Sequence, residues 1–365
     1  MEDNLTSEGP AGVVCVNGVF SLKKPRKTYP QLWPQYNLAQ TNEKLLFIDI
    51  LGELCSYFVD EIEMKGGKPG RPKFSRTDII FCMVSKLYEK LSSRRLLSDL
   101  RIAQGKSYIR SVPHFNTILN YFNDPFITPL LVALIHASSL PLNKLEDTFA
   151  VDASGLSSAF YSRWLDYRFG SKEEKEEERA KGWLKINLIC GTKTHIVTHV
   201  VVTDGKVHES PYFSELVNQT AKHGFTISEV SADKGYSSRQ NVQAVFELGG
   251  VPLIPFKSNA KQKPKGCSAW RRSFIYFQTN PEEFMARYHK RSNVESTFSM
   301  LKRKLNNKLM MKHELAQTNE ALALILCHNI CCLVHEIYEA GLEVEFGKSA
   351  HLLQDLHKNS GTIHN

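Results

Sequence analysis

Phe149-Ala150-Val151-Asp152-Ala153-Ser154 is an apolar, strand-forming run that stops on a carboxylate, with the turn-former Gly155 just behind it. Trp183–Cys190 and His195–Thr203 follow as two β-branched runs joined by Gly191-Thr192-Lys193-Thr194, the pattern of a hairpin. His208-Glu209-Ser210-Pro211 then opens a helix reaching about His223-Gly224, with Ser210 as N-cap and Pro211 in the first helical position. Thr226–Ala232 is the next strand, and it too ends on an acid, Asp233, ahead of Lys234-Gly235-Tyr236. Ser238–Leu248 reads as helix, closed by Gly249-Gly250, and Val251–Phe256 as strand. The order strand, hairpin, helix, strand, helix, strand, helix predicts an α/β domain: a mixed sheet with helices packed on it. Asp166–Lys181 is a charged excursion, and Lys257–Arg272 a basic loop or small insertion, bounded at about 257–280.

Upstream the period changes. Residues 1–40 carry Gly, Pro and the patch Lys23-Lys24-Pro25-Arg26-Lys27 with little pattern, as expected of a flexible basic arm. A helix runs from Thr41 to about Ile62, capped by Thr41 or Asn42. Lys65–Lys73 is a cationic loop whose Gly70-Arg71-Pro72 suits a narrow minor groove, with Arg71 as the DNA contact; an ordinary basic linker is at least as good an explanation. Thr77–Leu91, Ser92–Ala103, Val112–Phe122 and Phe126–Ser139 are short helices that can form a helix-turn-helix-like unit. Arg94, Arg95, Arg101, Lys106 and Arg110 favour DNA over a purely structural bundle. The expected organisation is arm (1–40), all-α helical DNA-binding region (41–145), α/β catalytic domain (146–345) and tail (346–365).

Composition sets limits. A chain of 365 residues can bury a large core, and its net charge of +8 points to an acidic partner. Eight cysteines lie mostly in apolar runs without a CxxC pair, as expected of reduced, buried thiols in a cytosolic or nuclear compartment. Cys327-His328-Cys331-Cys332 has no second ligand cluster in sequence, so zinc is not expected there. No signal-peptide pattern and no apolar run of membrane-spanning length are read, so a soluble protein is expected.

The chemistry gathers at Tyr288–Lys304. Val294, Phe298, Leu301 and Leu305 form one apolar stripe, while Tyr288, Arg291, Glu295 and Lys302 share a neighbouring face. Taken alone, such a face is as easily a solvated one with helix-spaced ion pairs. Asp152 and Asp233, each at a strand end, change the balance. Either one alone is more often a turn residue, as Asp204 is in Thr203-Asp204-Gly205. Three carboxylates brought together repel unless a cation compensates them, and oxygen ligands suit Mg²⁺ or Mn²⁺. Two such ions about 4 Å apart can drive phosphodiester displacement.

Asp152 in Ala-Val-Asp-Ala-Ser, Asp233 in Ala-Asp-Lys-Gly-Tyr, and Tyr288-x2-Arg291-x3-Glu295-x6-Lys302 together resemble the DDE transposases of prokaryotic insertion sequences, in the group marked by a Tyr-Arg-Glu-Lys signature. The resemblance covers about 149–310. It implies an RNase H-like catalytic domain, two Mg²⁺ ions with Mn²⁺ as substitute, and cleavage and joining of double-stranded DNA at transposon ends by a homodimer in the cytoplasm. By position, Asp152, Asp233 and Glu295 would be catalytic metal ligands, and Tyr288, Arg291 and Lys302 would contact terminal phosphates. Gly205–Ser210 matches the family's segment after the hairpin, with Glu209 where Asp is commoner. Trp270 stands in the insertion where some relatives stack a tryptophan on an extruded base. A metal-dependent nuclease of the same fold without strand transfer, and a transposase-derived DNA-binding protein without catalysis, stay open as alternatives.

Overall fold

The computed structural model describes residues 13–16, 19–22, 32–63, 74–158, 183–263, 265–305, 308–344 and 346. Arg71 and its cationic loop, the Lys23–Lys27 patch, the Asp166–Lys181 excursion and nearly all of the tail lie outside the described residues.

Within the expected patternless arm, β1 (Val13–Val16) pairs antiparallel with β2 (Val19–Leu22). Two largely apolar runs, Val13–Val16 and Val19–Leu22, flank Asn17-Gly18 in the sequence, a strong short-range hairpin signal. Helix α1 (Trp33–Glu63) starts well before the expected Thr41, with Pro34 in its first turn. Thr41 and Asn42 are not caps; their side chains bond back to the carbonyls of Asn37 (2.8 Å) and Leu38 (3.0 Å), one turn earlier. Helices α2 (Arg76–Glu89), α3 (Ser93–Gly105), α4 (Phe115–Tyr121) and α5 (Ile127–Ser139) follow close to their expected places.

The sheet begins at β3 (Thr148–Ser158), and β4 (Trp183–Gly191) and β5 (Val197–Asp204) continue it. Helix α6 (Phe213–Lys222) is entered through a 3₁₀ turn, Ser210–Tyr212. Ser210 does not cap it: its hydroxyl accepts from the Asn241 amide at 3.1 Å, and Glu209 holds the cap position of the 3₁₀ turn without a side-chain capping bond. Then come β6 (Glu229–Ala232), α7 (Arg239–Glu247), β7 (Val251–Leu253), α8 (Ser268–Thr279), α9 (Pro281–Tyr288), α10 (Ser292–Met300), β8 (Lys308–Leu309) and α11 (Glu314–Glu339). The expected loop through Arg272 is thus helical from Ser268. Trp270, Phe274 and Phe277 recur at helical spacing, and all three rings pack on Phe256.

The main sheet runs β5-β4-β3-β6-β7, with β8 on the far end of β3. β3, β4 and β5 are antiparallel neighbours, whereas β6 and β7 continue parallel to β3. It is a mixed sheet flanked by helices and preceded by a helical N-terminal region. One face carries Phe149, Val151 and Ile189 under α6, α7 and α8. The other carries Ala150, Leu188 and Cys190 into a larger core shared with α1 to α5, α10 and α11. Helix α11 joins the two parts of the chain. It is long and apolar enough to cross a membrane, contrary to the expectation, but most of it is buried inside the fold. Its Asn329 amide donates to the carbonyls of Ile135 (3.2 Å) and Val197 (2.8 Å) and accepts from Val197 N–H (2.9 Å), clamping α5 to β5.

Candidate active site

Register brings the two aspartates together. Val151 on β3 pairs with Ala232 on β6, so Asp152 and Asp233 are the next residues on adjacent parallel strands, about 5 Å apart in the sheet. The Asp152 Oδ1 accepts from Ala153 N–H at 2.9 Å. Asp233 caps the 3₁₀ turn Lys234–Tyr236, its Oδ1 accepting from Gly235 N–H at 2.6 Å. A Cβ at Gly235 would lie 2.7 Å from that oxygen, so glycine is what lets the backbone and carboxylate approach so closely.

Glu295 arrives from α10, which lies over the same face of β3. The predicted stripe is the buried side of α10 and of the turn that follows it: Val294, Phe298, Leu301 and Leu305 are all in the core. Residues on either side of Glu295 fix the helix to the β4–β5 hairpin. Asn293 donates to Thr192 O at 2.6 Å, and the His195 ring meets Thr297 Oγ1 at 3.1 Å. His195 takes φ 62° to make that reach. The helix is not a regular one from end to end, since a 3₁₀ turn (His289–Arg291) precedes α10 and a π turn (Leu301–Leu305) follows it.

Arg291 joins the acids. Its guanidinium donates to Asp152 Oδ2 at 3.0 Å and to Glu295 Oε1 at 2.6 Å. Lys302 donates to Ser154 Oγ at 2.7 Å, two residues beyond Asp152 on the same face of β3. Tyr288 is half-buried beside Arg291, its ring near Phe284. The sequence-predicted residues Asp152, Asp233, Tyr288, Arg291, Glu295 and Lys302 therefore meet in one place. Glu209, left without a role by the sequence, borders it too: Tyr236 donates to Glu209 Oε2 at 3.2 Å, and Glu209 is among the acids acting on Asp152.

Trp270 does not join them. Its indole is 5 % exposed, donates to Lys261 O at 2.9 Å, and is packed by Phe256 and by the Arg239 guanidinium, each 4.8 Å from the ring centre. With the Arg239 guanidinium over the ring and the residue buried, the indole is not presented as a platform for a base.

The electrostatics are those of crowded carboxylates. Burial pushes the Asp152 carboxyl up; Ala153 N–H and Arg291 oppose the shift, while Asp233 and Glu209 add to it. Burial lowers Arg291, but Tyr288, Asp152, Glu295 and Asp233 outweigh it and raise the guanidinium overall. Burial raises the Tyr288 phenol and lowers the Lys302 ammonium. Among the described residues no group of three or more acidic, His or Cys side chains is close enough as it stands to hold a metal ion. The donor set nonetheless fits a hard divalent cation: it is all oxygen, and Asp152 and Glu295 already converge on a positive charge.

The Transposase DDE domain family matches residues 143–330. The chain belongs to the DDE transposase family. The matched span runs from the turn before β3 into α11 and so contains all six of the converging residues. Among solved structures, a cryo-EM structure of the piggyBac transposase synaptic complex with hairpin DNA is similar, with 13 % identity and a TM-score of 0.38, over 91 % of this chain and 80 % of that one.

Proposed function

We propose that this transposase cuts DNA at transposon ends and joins the freed strand to target DNA, using Asp152, Asp233 and Glu295 as its catalytic carboxylates. The observation that carries the proposal is the meeting of Asp152 and Glu295, 143 positions apart in the chain, on one Arg291 guanidinium beside Asp233. An RNase H-like fold is supported by the strand order, three antiparallel strands continued by two parallel ones. The spacing Tyr288-x2-Arg291-x3-Glu295-x6-Lys302 supports the insertion-sequence group with that signature.

Asp152, Asp233 and Glu295 would hold divalent ions, Mg²⁺ with Mn²⁺ as substitute. When bound, such ions activate a water or a 3′-hydroxyl and stabilise the leaving oxygen of a phosphodiester. The chain's own groups do the positioning. Ala153 and Gly235 N–H each hold one oxygen of an aspartate, which fixes where the other points. Tyr288, kept protonated by burial, donates to a phosphate oxygen. Lys302, pinned to Ser154, sets a positive charge one step along β3. Arg291, displaced from the two carboxylates, turns to a phosphate, which would otherwise be repelled by them. The helical region before β3 and Arg71 supply further DNA contacts, and a homodimer holds both element ends, with the protein working on the nucleoid.

A strand-transfer assay on DNA carrying the element's own ends tests the proposal. Joined product in Mg²⁺ supports transposition. Nicking without joining would reassign the protein as a nuclease, and binding with neither would leave a DNA-binding protein.

A further inference from the structure

A second basic surface extends from Lys302, at the border of the candidate site, into the cleft between the helical region and the end of α10. One part, about 910 Å³, is lined by Lys86, Lys90, Lys302 and Arg303; a second, about 670 Å³, by Arg94, Lys312 and the amides of α4. The two share Lys86, Ser92 and Met310, so they form one continuous groove. Its combined size exceeds that of a small-molecule pocket, and it is open along its length.

The charge is one-sided. Of the described residues lining the groove the one acid is Glu320, which is fully buried with both carboxylate oxygens held by the backbone N–H groups of Met310 and Met311. Lys90, Arg94, Arg303 and Lys312 are exposed. The Arg94 guanidinium lies 4.5 Å over the Phe115 ring, which holds it extended along the wall. Lys302 links this groove to the catalytic face, since its ammonium reaches Ser154 on the strand that carries Asp152.

We infer that this groove seats the phosphate backbone of a DNA duplex running from the carboxylates to the helical region, independently of base sequence. It rests on the proposed function for the identity of the polyanion. Lysine and arginine spaced along a wall neutralise phosphates one by one, and each such contact releases counterions. Short-range contacts at Lys302 and Arg303 place the duplex next to the reacting bond. Those at Lys90, Arg94 and Lys312 carry it past α3 and α4.

The test is the salt dependence of duplex binding by the full chain, followed by fluorescence anisotropy without divalent ions. The variant Lys90→Ala/Arg94→Ala/Arg303→Ala should lower the slope of log K against log salt by about 2 to 3 and weaken binding at least about tenfold near 0.1 M salt. Lys222→Ala, outside the groove, should change neither, and all variants should melt with the wild type. Wild-type binding with an unchanged slope in the triple variant would overturn the groove while leaving the catalytic proposal standing. Failure of the wild type to bind any duplex would overturn both. Tighter binding of polyglutamate than of duplex would give the groove to an acidic peptide instead.

Discussion

Replacing Gly235 by alanine should separate catalysis from stability. The added Cβ would sit 2.7 Å from Asp233 Oδ1, 3.5 Å from its Cγ and 3.6 Å from Oδ2. Reaching ordinary contact requires the near oxygen to retreat by about 0.7 Å or more. That motion loosens the 2.6 Å bond from Gly235 N–H and swings the other oxygen with it. Catalytic carboxylates tolerate roughly 0.5 Å of displacement, and an error near 1 Å costs on the order of a hundredfold in rate. Stability changes little, because the obstructed atom is the end of a side chain just past the C-terminal end of β6. The lost hydrogen bond, about 1 kcal/mol, is offset by about 0.4–1 kcal/mol from a less flexible unfolded chain. Single-turnover cleavage of a labelled end-bearing duplex, run beside a thermal melt, measures both. A Gly235→Ala protein that cleaves at the wild-type rate would show that the Asp233 carboxylate does not act from this position.

Arg291→Ala should weaken DNA binding and reduce its salt slope by about 1, yet leave Mn²⁺ affinity undiminished, because it removes the cation that competes for Asp152 and Glu295; titration by electron paramagnetic resonance checks this. Burial, with Glu339 and Glu146 nearby, raises Glu336 to about 7. Its contribution to stability is complete below the unfolded value near 4.3 and is lost as pH rises through 7; solvent screening at this half-buried position reduces the size of the effect, but Glu336→Gln should be more stable than the wild type at pH 8 and match it near pH 4 in urea melts. His223 is displaced the other way, to about 4, by burial, with His199 and Lys222 adding to it. Its ring lies tilted against that of His136, the centroids 3.6 Å apart, and His136 in turn bonds His199 at 2.6 Å. Stability from a neutral His223 is present above about 6.5 and is lost as pH falls through 4, by up to about 3 kcal/mol. His223→Phe should flatten that loss.

The site was legible because each acid announced itself through local pattern. Asp152 and Asp233 end apolar runs, and Glu295 rides a helix whose buried stripe is visible at the helical period. What pattern could not carry is the pairing: nothing local says that Val151 sits beside Ala232, or that Arg291 spans two carboxylates. Helix starts differ from expectation where Ser, Thr and Asn side chains have uses other than capping: Thr41 and Asn42 bond back one turn, and Ser210 accepts from the distant Asn241 amide. Trp270 misled for a related reason. Basic neighbours suggested an exposed loop, while its own spacing with Phe274 and Phe277 was that of a packed helix. Helix α11 shows the limit of composition, since polar Asn319, Glu320 and Asn329 are buried in a run apolar enough for lipid, each satisfied by distant backbone groups.

Cleavage of an end-bearing duplex in Mg²⁺ by Asp152→Asn, Asp233→Asn and Glu295→Gln, each confirmed folded and able to bind DNA, decides whether the three carboxylates act as one centre. Each variant alone should lose cleavage by on the order of a thousandfold or more, and the double variants should lose little beyond that, as groups acting as a unit do. Wild-type cleavage by any one of the three, or losses that simply multiply, would contradict a shared site.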